Sequence, residues 1–377
     1  MTNRFGFAKS PTLAHWKLAL AVGLTLWFLA LGLPGSVHAA TFITIDAPGA
    51  GAGPAQGTVA TGINTSGAVA GYYLDANRVF HGFVRDSAGV ITTFDVKGAG
   101  TDYEQGTTAT SINTGATIAG YYSDAVSVNH SFVRSASGAV TTFDAPGVGT
   151  NPRQGTFATS INGTGAVTGY YSDGYSVYHG FVRSGGVVTT FDVTGAGTRS
   201  GQGTVATSIN GSDTVTGYYS DANQVYHGFV RSSSGVVTTF DVTGAGTAAG
   251  QGSFAASLNS SGVVAGYYSD SSSVYHGFLR SASGTITTMN VPGAGTVAGQ
   301  GTIPQSLSKS GAGYYSDSSW VYHGFVRTGG AFTSFDAPGA GIASGHGTYG
   351  NAINSAGDIA GYYSDASSVL HGFLRTP

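Results

Sequence analysis

The chain contains no cysteine, two methionines and three tryptophans, and only 9% of its 377 residues are charged. Without cysteine there is no disulfide, no thiolate nucleophile and no cysteine-ligated metal, so an oxidising compartment is permitted and stability must come from packing. Lysine and arginine number only 15 against 18 acidic residues, which excludes the clustered basic surface that nucleic-acid binding requires. A charged or polar linker is also missing, so the length does not imply two or three separate domains. What the chain does have is 41% apolar residues and 62 glycines set in periodic blocks, unlike collagen's every-third-residue pattern or a disordered tract. A folded chain with most of its strands covered is expected.

The first 40 residues differ from the rest. Arg4, Lys9 and Lys17 precede an apolar run from Leu18 to Leu33, followed by Pro34-Gly35 and the small-residue segment Val37-His38-Ala39-Ala40. This predicts a signal peptide over residues 1–39, cleaved after Ala39, with residues 40–377 as the exported protein. The alternative, an uncleaved anchor, is disfavoured because the run is short for a spanning helix. No cysteine follows it, so a lipoprotein is excluded, and no membrane span is expected after cleavage. Removing the leader leaves 12 basic against 18 acidic residues, or about −6.

The tripeptide Gly-Tyr-Tyr begins at Gly71, Gly120, Gly169, Gly217, Gly266, Gly313 and Gly361, and ten residues after each stands a histidine. The spacing marks seven repeats of 47 to 49 residues. Each repeat reads as four short strands, for example TVATSIN, TVTGYYS, QVYHGFVR and VVTTFDV between Gly203 and Gly246, separated by turn-forming Gly, Ser, Asn and Asp. The first hairpin turns at Asn-x-x-Gly, where glycine takes the positive φ of a bulged turn. Stacked four-stranded meanders form a propeller, and blades covered on both sides explain the weak alternation of polar and apolar residues.

The seventh repeat ends at Pro377 without a fourth strand, while Thr41 to Gly49 matches the fourth-strand segment Thr333 to Gly339. A closed ring would complete its last blade with this N-terminal strand; an open solenoid would need polar caps instead. The fold expected is therefore all-β, a seven-bladed β-propeller of four-stranded antiparallel blades closed by the N-terminal strand, with a solenoid or β-sandwich array as the alternatives. In the sixth repeat, Pro304, Lys309 and a hairpin two residues short predict a weakened inner strand, since proline donates no ladder hydrogen bond.

These elements, Asn-x-x-Gly, Gly-Tyr-Tyr and His-x-Phe-Val/Leu-Arg, resemble the HAF-type extracellular repeats of bacterial proteins, named for a His-Ala-Phe tripeptide. Here the tripeptide is His-Gly-Phe in six repeats and His-Ser-Phe in one. The resemblance covers nearly all of residues 40–377 and implies export from a bacterial cell, to the periplasm or beyond, and a propeller-like array. It implies no defined activity.

Seven histidines, His81, His130, His179, His227, His276, His323 and His371, invite a metal or acid-base reading. In a propeller, however, the third strand lies about 10 Å outside the innermost one, so equivalent histidines diverge around the ring. They are read as structural, fixing turns and strands with the turn aspartates (Asp75 and its equivalents) and with a fourth-strand Asp, which is replaced by Asn290 once. The arginine ending each third strand is expected to pair with the fourth-strand Asp. No segment shows a nucleophile elbow, phosphate loop or zinc-binding helix, so no catalytic residue, metal or cofactor is expected.

Any ligand is expected on the face where repeats connect, because the Gly-rich connecting loops end in Gln56, Gln105, Gln154, Gln202, Gln251 and Gln300, with His346 in the last repeat. Departures from the repeat on this face add Arg78, Tyr175 and Trp320 as candidates, together with Asp102, Tyr103, Glu104, Arg153 and Arg199. The alternative for the glutamines is a purely structural tie between loop and blade. The functional expectation is an exported, monomeric, non-catalytic propeller that binds a glycan or a cell-envelope protein. A multivalent lectin-like glycan binder, and a hydrolase or lyase with an axial site, are the alternatives.

Overall fold

The computed structural model describes residues 40–377, and the expected leader lies outside them. All regular structure among the described residues is β: 28 strands in one hydrogen-bonded sheet that closes on itself in a propeller-like ring. The strands fall into seven repeats, at residues 57–94, 106–143, 155–191, 203–240, 252–289, 301–335 and 347–376, the last completed by Thr41–Ile45. An open solenoid is thereby excluded.

Within a repeat the four strands run antiparallel. In repeat 4 they are Gly203–Ile209, Val215–Ser220, Tyr226–Arg231 and Val237–Phe240, close to the spans the sequence predicts. The third starts two residues late because Gln224, with φ 64°, belongs to the preceding turn. The fourth ends early because Asp241 turns to His227 and the Val242 N–H donates to Ser253 Oγ instead of to the ladder.

First strands line the axis. Each begins with a glycine that bridges, in parallel, to the third strand of the preceding repeat, as Gly106 does to Phe80. At φ 115° and with the Phe80 carbonyl occupying the place of a Cβ, no other residue fits there. The same bridge between Gly57 and Leu370 joins repeat 1 to repeat 7.

The core consists of layers between adjacent repeats. The phenylalanine of His-x-Phe is essentially fully buried in every one, from Phe83 to Phe373. In five repeats it meets the fourth-strand phenylalanine of the preceding repeat edge-on, as Phe191 meets Phe229 at 5.9 Å; Met289 and Ile45 stand in that place before repeats 6 and 1. That same fourth-strand ring lies over the glycine of His-Gly-Phe in its own repeat: a Cβ on Gly180 would come within 2.6 Å of Phe191. In repeat 2, where Ser131 stands opposite Phe143, a Cβ is accommodated and the serine Oγ donates to the Thr156 carbonyl at 3.0 Å.

Closure has two components. Thr41–Ile45 pairs with Leu370–Thr376 over five residue pairs, Ile45 is buried, and Phe42 packs on both Phe335 and Phe373. At the axis, Asn351 Nδ2 donates to the Ala60 carbonyl at 2.8 Å and Asn354 Nδ2 to the Asn64 carbonyl at 3.1 Å.

The weakened strand expected in repeat 6 does not occur. Gly301–Leu307 has the same seven-residue length and register as its equivalents, because Pro304 falls beside the bulge that every first strand makes at this position. The missing two residues come out of the turn.

Candidate functional site

The histidines sit on the third strand, half-buried, each with its ring stacked at 4.8–5.1 Å on the second tyrosine of Gly-Tyr-Tyr in the same repeat. His81 Nδ1 lies 3.0 Å from Asp95, and its Nε2 faces Asp75 at 3.8 Å. The closing repeat repeats this across the chain ends, with His371 Nδ1 2.9 Å from Asp46. In repeat 5 the partner is the Asn290 amide at 3.1 Å, and Nε2 comes within 3.1 Å of Asp270. Each turn Asp also caps its own turn: Asp75 Oδ1 accepts from the N–H groups of Asn77 and Val79. For Asp221, burial alone would raise the pKa. The N–H bonds of Val225 and Asn223, and then nearby His227, outweigh it and hold the carboxyl below its usual range. No group of three or more metal-binding side chains occurs among the described residues.

The expected arginine–aspartate pair is not formed, because histidine occupies the fourth-strand Asp. Arg231 instead lies over the Phe191 ring of the preceding repeat at 4.9 Å, and Arg134, Arg183, Arg280 and Arg375 do the same with their neighbours. Arg231 Nη1 donates to the Ser232 carbonyl, and burial pushes its guanidinium below its ordinary value. These arginines are inter-repeat packing groups.

The glutamines turn into their own repeats. Gln105 Oε1 accepts from the Asp102 N–H at 3.1 Å, and Nε2 donates to the Ala125 carbonyl and to Ser127 at 3.2 Å. Gln56, Gln202 and Gln251 bridge loop and turn in the same way. Gln154 joins Asn151 to Ser176. Gln300 is buried with neither amide atom bonded, and His346 Nε2 lies 2.9 Å from Ser368. Except at Gln300, their hydrogen-bonding capacity is taken up between loop and turn, not presented as an open ring.

At the opposite end of the axis is a ring the sequence reading treated only as turn chemistry. Asn64, Asn113, Asn162, Asn210 and Asn259 each donate Nδ2 to the backbone carbonyl of the equivalent residue in the next repeat, at 2.9–3.2 Å. Their Oδ1 atoms cap the turn, as Asn162 does for Thr164 and Ala166. Ser308 breaks the circuit. The mouth so formed encloses about 570 Å³, and its one charged lining residue among the described residues is Lys309. Deeper, a second axial space of about 390 Å³ is lined by Thr61, Thr159 and Thr207, with Ala256, Gln305 and Asn351 in equivalent places.

The departures from the repeat collect on the glutamine-loop face. Arg78, at φ 61°, lies 3.9 Å from Glu104 and over Tyr103 at 5.4 Å. Tyr175 is 84% exposed in repeat 3, while Trp320 packs over Gly299 in repeat 6; the structure brings neither to Arg78. On the same face the first tyrosines of Gly-Tyr-Tyr form an aromatic rosette with residues of the first and third strands. Burial pushes Tyr72 and Tyr218 up to about 12, so these phenols stay neutral.

No family model matches the chain, and no curated protein does. Among solved structures it is similar to BP39L lectin from Burkholderia pseudomallei, with a TM-score of 0.54 and 8% identity over 82% of this chain and 94% of that one. Looser likenesses are AofleA from Arthrobotrys oligospora, with a TM-score of 0.46 and 13% identity over 78% of this chain and 90% of that one, and Aleuria aurantia lectin in complex with alpha-methyl-L-fucoside, with a TM-score of 0.46 and 16% identity over 78% and 94%. Of these three, the Burkholderia structure bears on the fold, and on nothing further.

Proposed function

We propose that this chain is an exported seven-bladed β-propeller of the HAF-repeat kind, acting outside the cytoplasm as a non-catalytic binding scaffold. The observation that carries the reading is a division of labour among polar residues. Those that repeat are consumed inside the fold: histidines with aspartates, glutamines with loops, asparagines with the next repeat. Four that do not repeat, Arg78, Tyr103, Glu104 and Arg153, lie together on one face. Enzymes bring unlike titratable groups to one centre. Here neither axial cavity is lined by a carboxylate or a histidine among the described residues.

A glycan is the favoured ligand, since the same face combines aromatic rings with hydroxyl, amide and charged groups. The lectin name borne by the similar Burkholderia structure agrees with this choice. Residues 40–377, immobilised and probed with a glycan array and with the exported fraction of the source cell, test the reading. Retention of a defined glycan or envelope protein is expected; a blank in both experiments overturns it.

A further inference from the structure

Repeat 2 differs from the others at one place where the structure leaves a hole. The third strand of every other repeat begins with an aromatic or large apolar residue; that of repeat 2 begins with Asn129. In repeat 4 the equivalent Tyr226 packs 4.5 Å from Phe254 of the next repeat, beside the Tyr218–Phe254 pair at 5.3 Å. Repeat 6 has the same trio in Tyr314, Tyr322 and Tyr349. In repeat 2 the pair is present, Tyr121 against Phe157 at 5.2 Å, and the third ring is absent. A cavity of about 250 Å³ occupies that place, between Phe80, Tyr121 and Phe157.

The polar lining is equally unlike the other repeats. Glu104 and Arg153 border the cavity from the two flanking loops, at the position where repeats 4 to 7 carry Gly201, Gly250, Gly299 and Gly345. That position has positive φ throughout, 59° at Glu104 and 70° at Arg153, so a side chain there is held against backbone preference. The surrounding bonds enforce it: the N–H of Glu104 donates to the Arg78 carbonyl and that of Arg153 to the Ser127 carbonyl. Asn129 gives Nδ2 to the Gln154 carbonyl at 3.1 Å, and its Oδ1 has no partner among the described residues. Thr108 and Ser123 complete the lining.

We propose that this cavity is a single carbohydrate subsite that takes one neutral pyranose ring. It deepens the binding reading above and rests on it. The sugar's C–H face takes the place of the missing tyrosine against Phe157. Its hydroxyls donate to Asn129 Oδ1 and Glu104 and accept from Arg153. The volume lies below the roughly 300–1,000 Å³ of pockets for larger ligands, which suits one ring and not an oligosaccharide.

The test is titration calorimetry of residues 40–377 with the methyl glycosides of glucose, galactose, mannose and fucose, with p-cresol as an aromatic probe without the hydroxyl pattern. One glycoside is expected to bind once per chain. Asn129→Tyr, which restores the third ring, should weaken it about 50-fold or more without lowering the melting temperature. Glu104→Gly and Arg153→Gly should each cost about tenfold in affinity while stability stays level or rises, a combination that a structural role does not produce. Tyr226→Asn opens the equivalent space between Gly201 and Gly250, which lacks the charged lining, and should leave the stoichiometry at one sugar per chain. Unchanged affinity in Asn129→Tyr, several sites per chain, or preference for p-cresol overturns the subsite. If the array then still retains a glycan, the binding function stands and lies elsewhere on the face; if array and exported fraction are both blank, both proposals fail.

Discussion

The seam between repeats 3 and 4 and the seam between repeats 5 and 6 are built from the same plan, yet only the first carries all of it. At the former, Arg231 covers Phe191, Thr159 donates to the Ala206 carbonyl at 3.0 Å, and Asn162 donates to that of Asn210 at 2.9 Å. At the latter Met289 replaces the phenylalanine, Ala256 replaces the threonine, and Arg327 turns to Phe332 of its own repeat at 5.7 Å. A cavity of about 380 Å³ opens there, bordered by Met289, Pro304 and Lys309. The backbone bridge and the hydrogen bond donated by the Leu307 N–H to Ser257 Oγ persist. Side-chain rings around the axis are thus redundant: a closed array tolerates a poor seam because six others hold the geometry, which no open array can do.

The comparison breaks most severely at the closing repeat. Deleting Thr41 to Asp46 removes five backbone pairs, buried Ile45 and the partner of His371, and is expected to cost about 5 kcal/mol or more, a large part of a domain's stability. Thermal unfolding by circular dichroism with size-exclusion chromatography reads it, and unchanged melting would refute closure by this strand. Next, Phe191→Ala at the complete seam should cost about 3 kcal/mol, and Met289→Ala clearly less, because the latter enlarges a space already open. Equal losses in denaturant titrations would erase the distinction between the seams.

The asparagine ring sharpens the contrast in both directions. Asn162→Ala strips the turn cap and the inter-repeat bond together, for about 2 kcal/mol. Ser308→Asn supplies the missing donor toward Asn354 and should gain about 0.5–1 kcal/mol. A loss in the second variant would mean that the short turn holds residue 308 out of reach.

The smallest effect is with pH. Asp221, Asp270, Asp317 and Asp365 are held below their ordinary value. The stability they contribute is present above pH 4 or so and is lost as pH falls through the depressed folded values. Urea midpoints between pH 5 and 2 should fall, and Asp270→Asn should flatten the curve slightly. An acid limb identical to that of the parent would remove Asp270 from the account.

Most of the architecture was legible because it is periodic. Gly-Tyr-Tyr and His-x-Phe recur at fixed spacing, and a recurring residue must do a recurring job, so strand number and the split last repeat could both be read along the chain. The arginine's partner could not. Pairing it with an acidic neighbour in the same repeat is the local choice, whereas the Phe191 ring that Arg231 covers belongs to the repeat before and stands 40 residues back in the chain. Asn129 gives no signal for a related reason: a lone asparagine where the others have an aromatic or large apolar residue looks like drift until the volume it vacates is seen between Tyr121, Phe157 and Phe80.

By itself, then, the sequence determined the count, the order and the chemistry of the repeating parts, since hydrophobic pattern and turn residues act within about ten positions of one another. Tertiary structure alone decided which side chains meet across a seam and where a seam fails to fill. Those contacts depend on the closure of a ring, which brings Asn354 to Asn64 and Asp46 to His371 across some 300 residues.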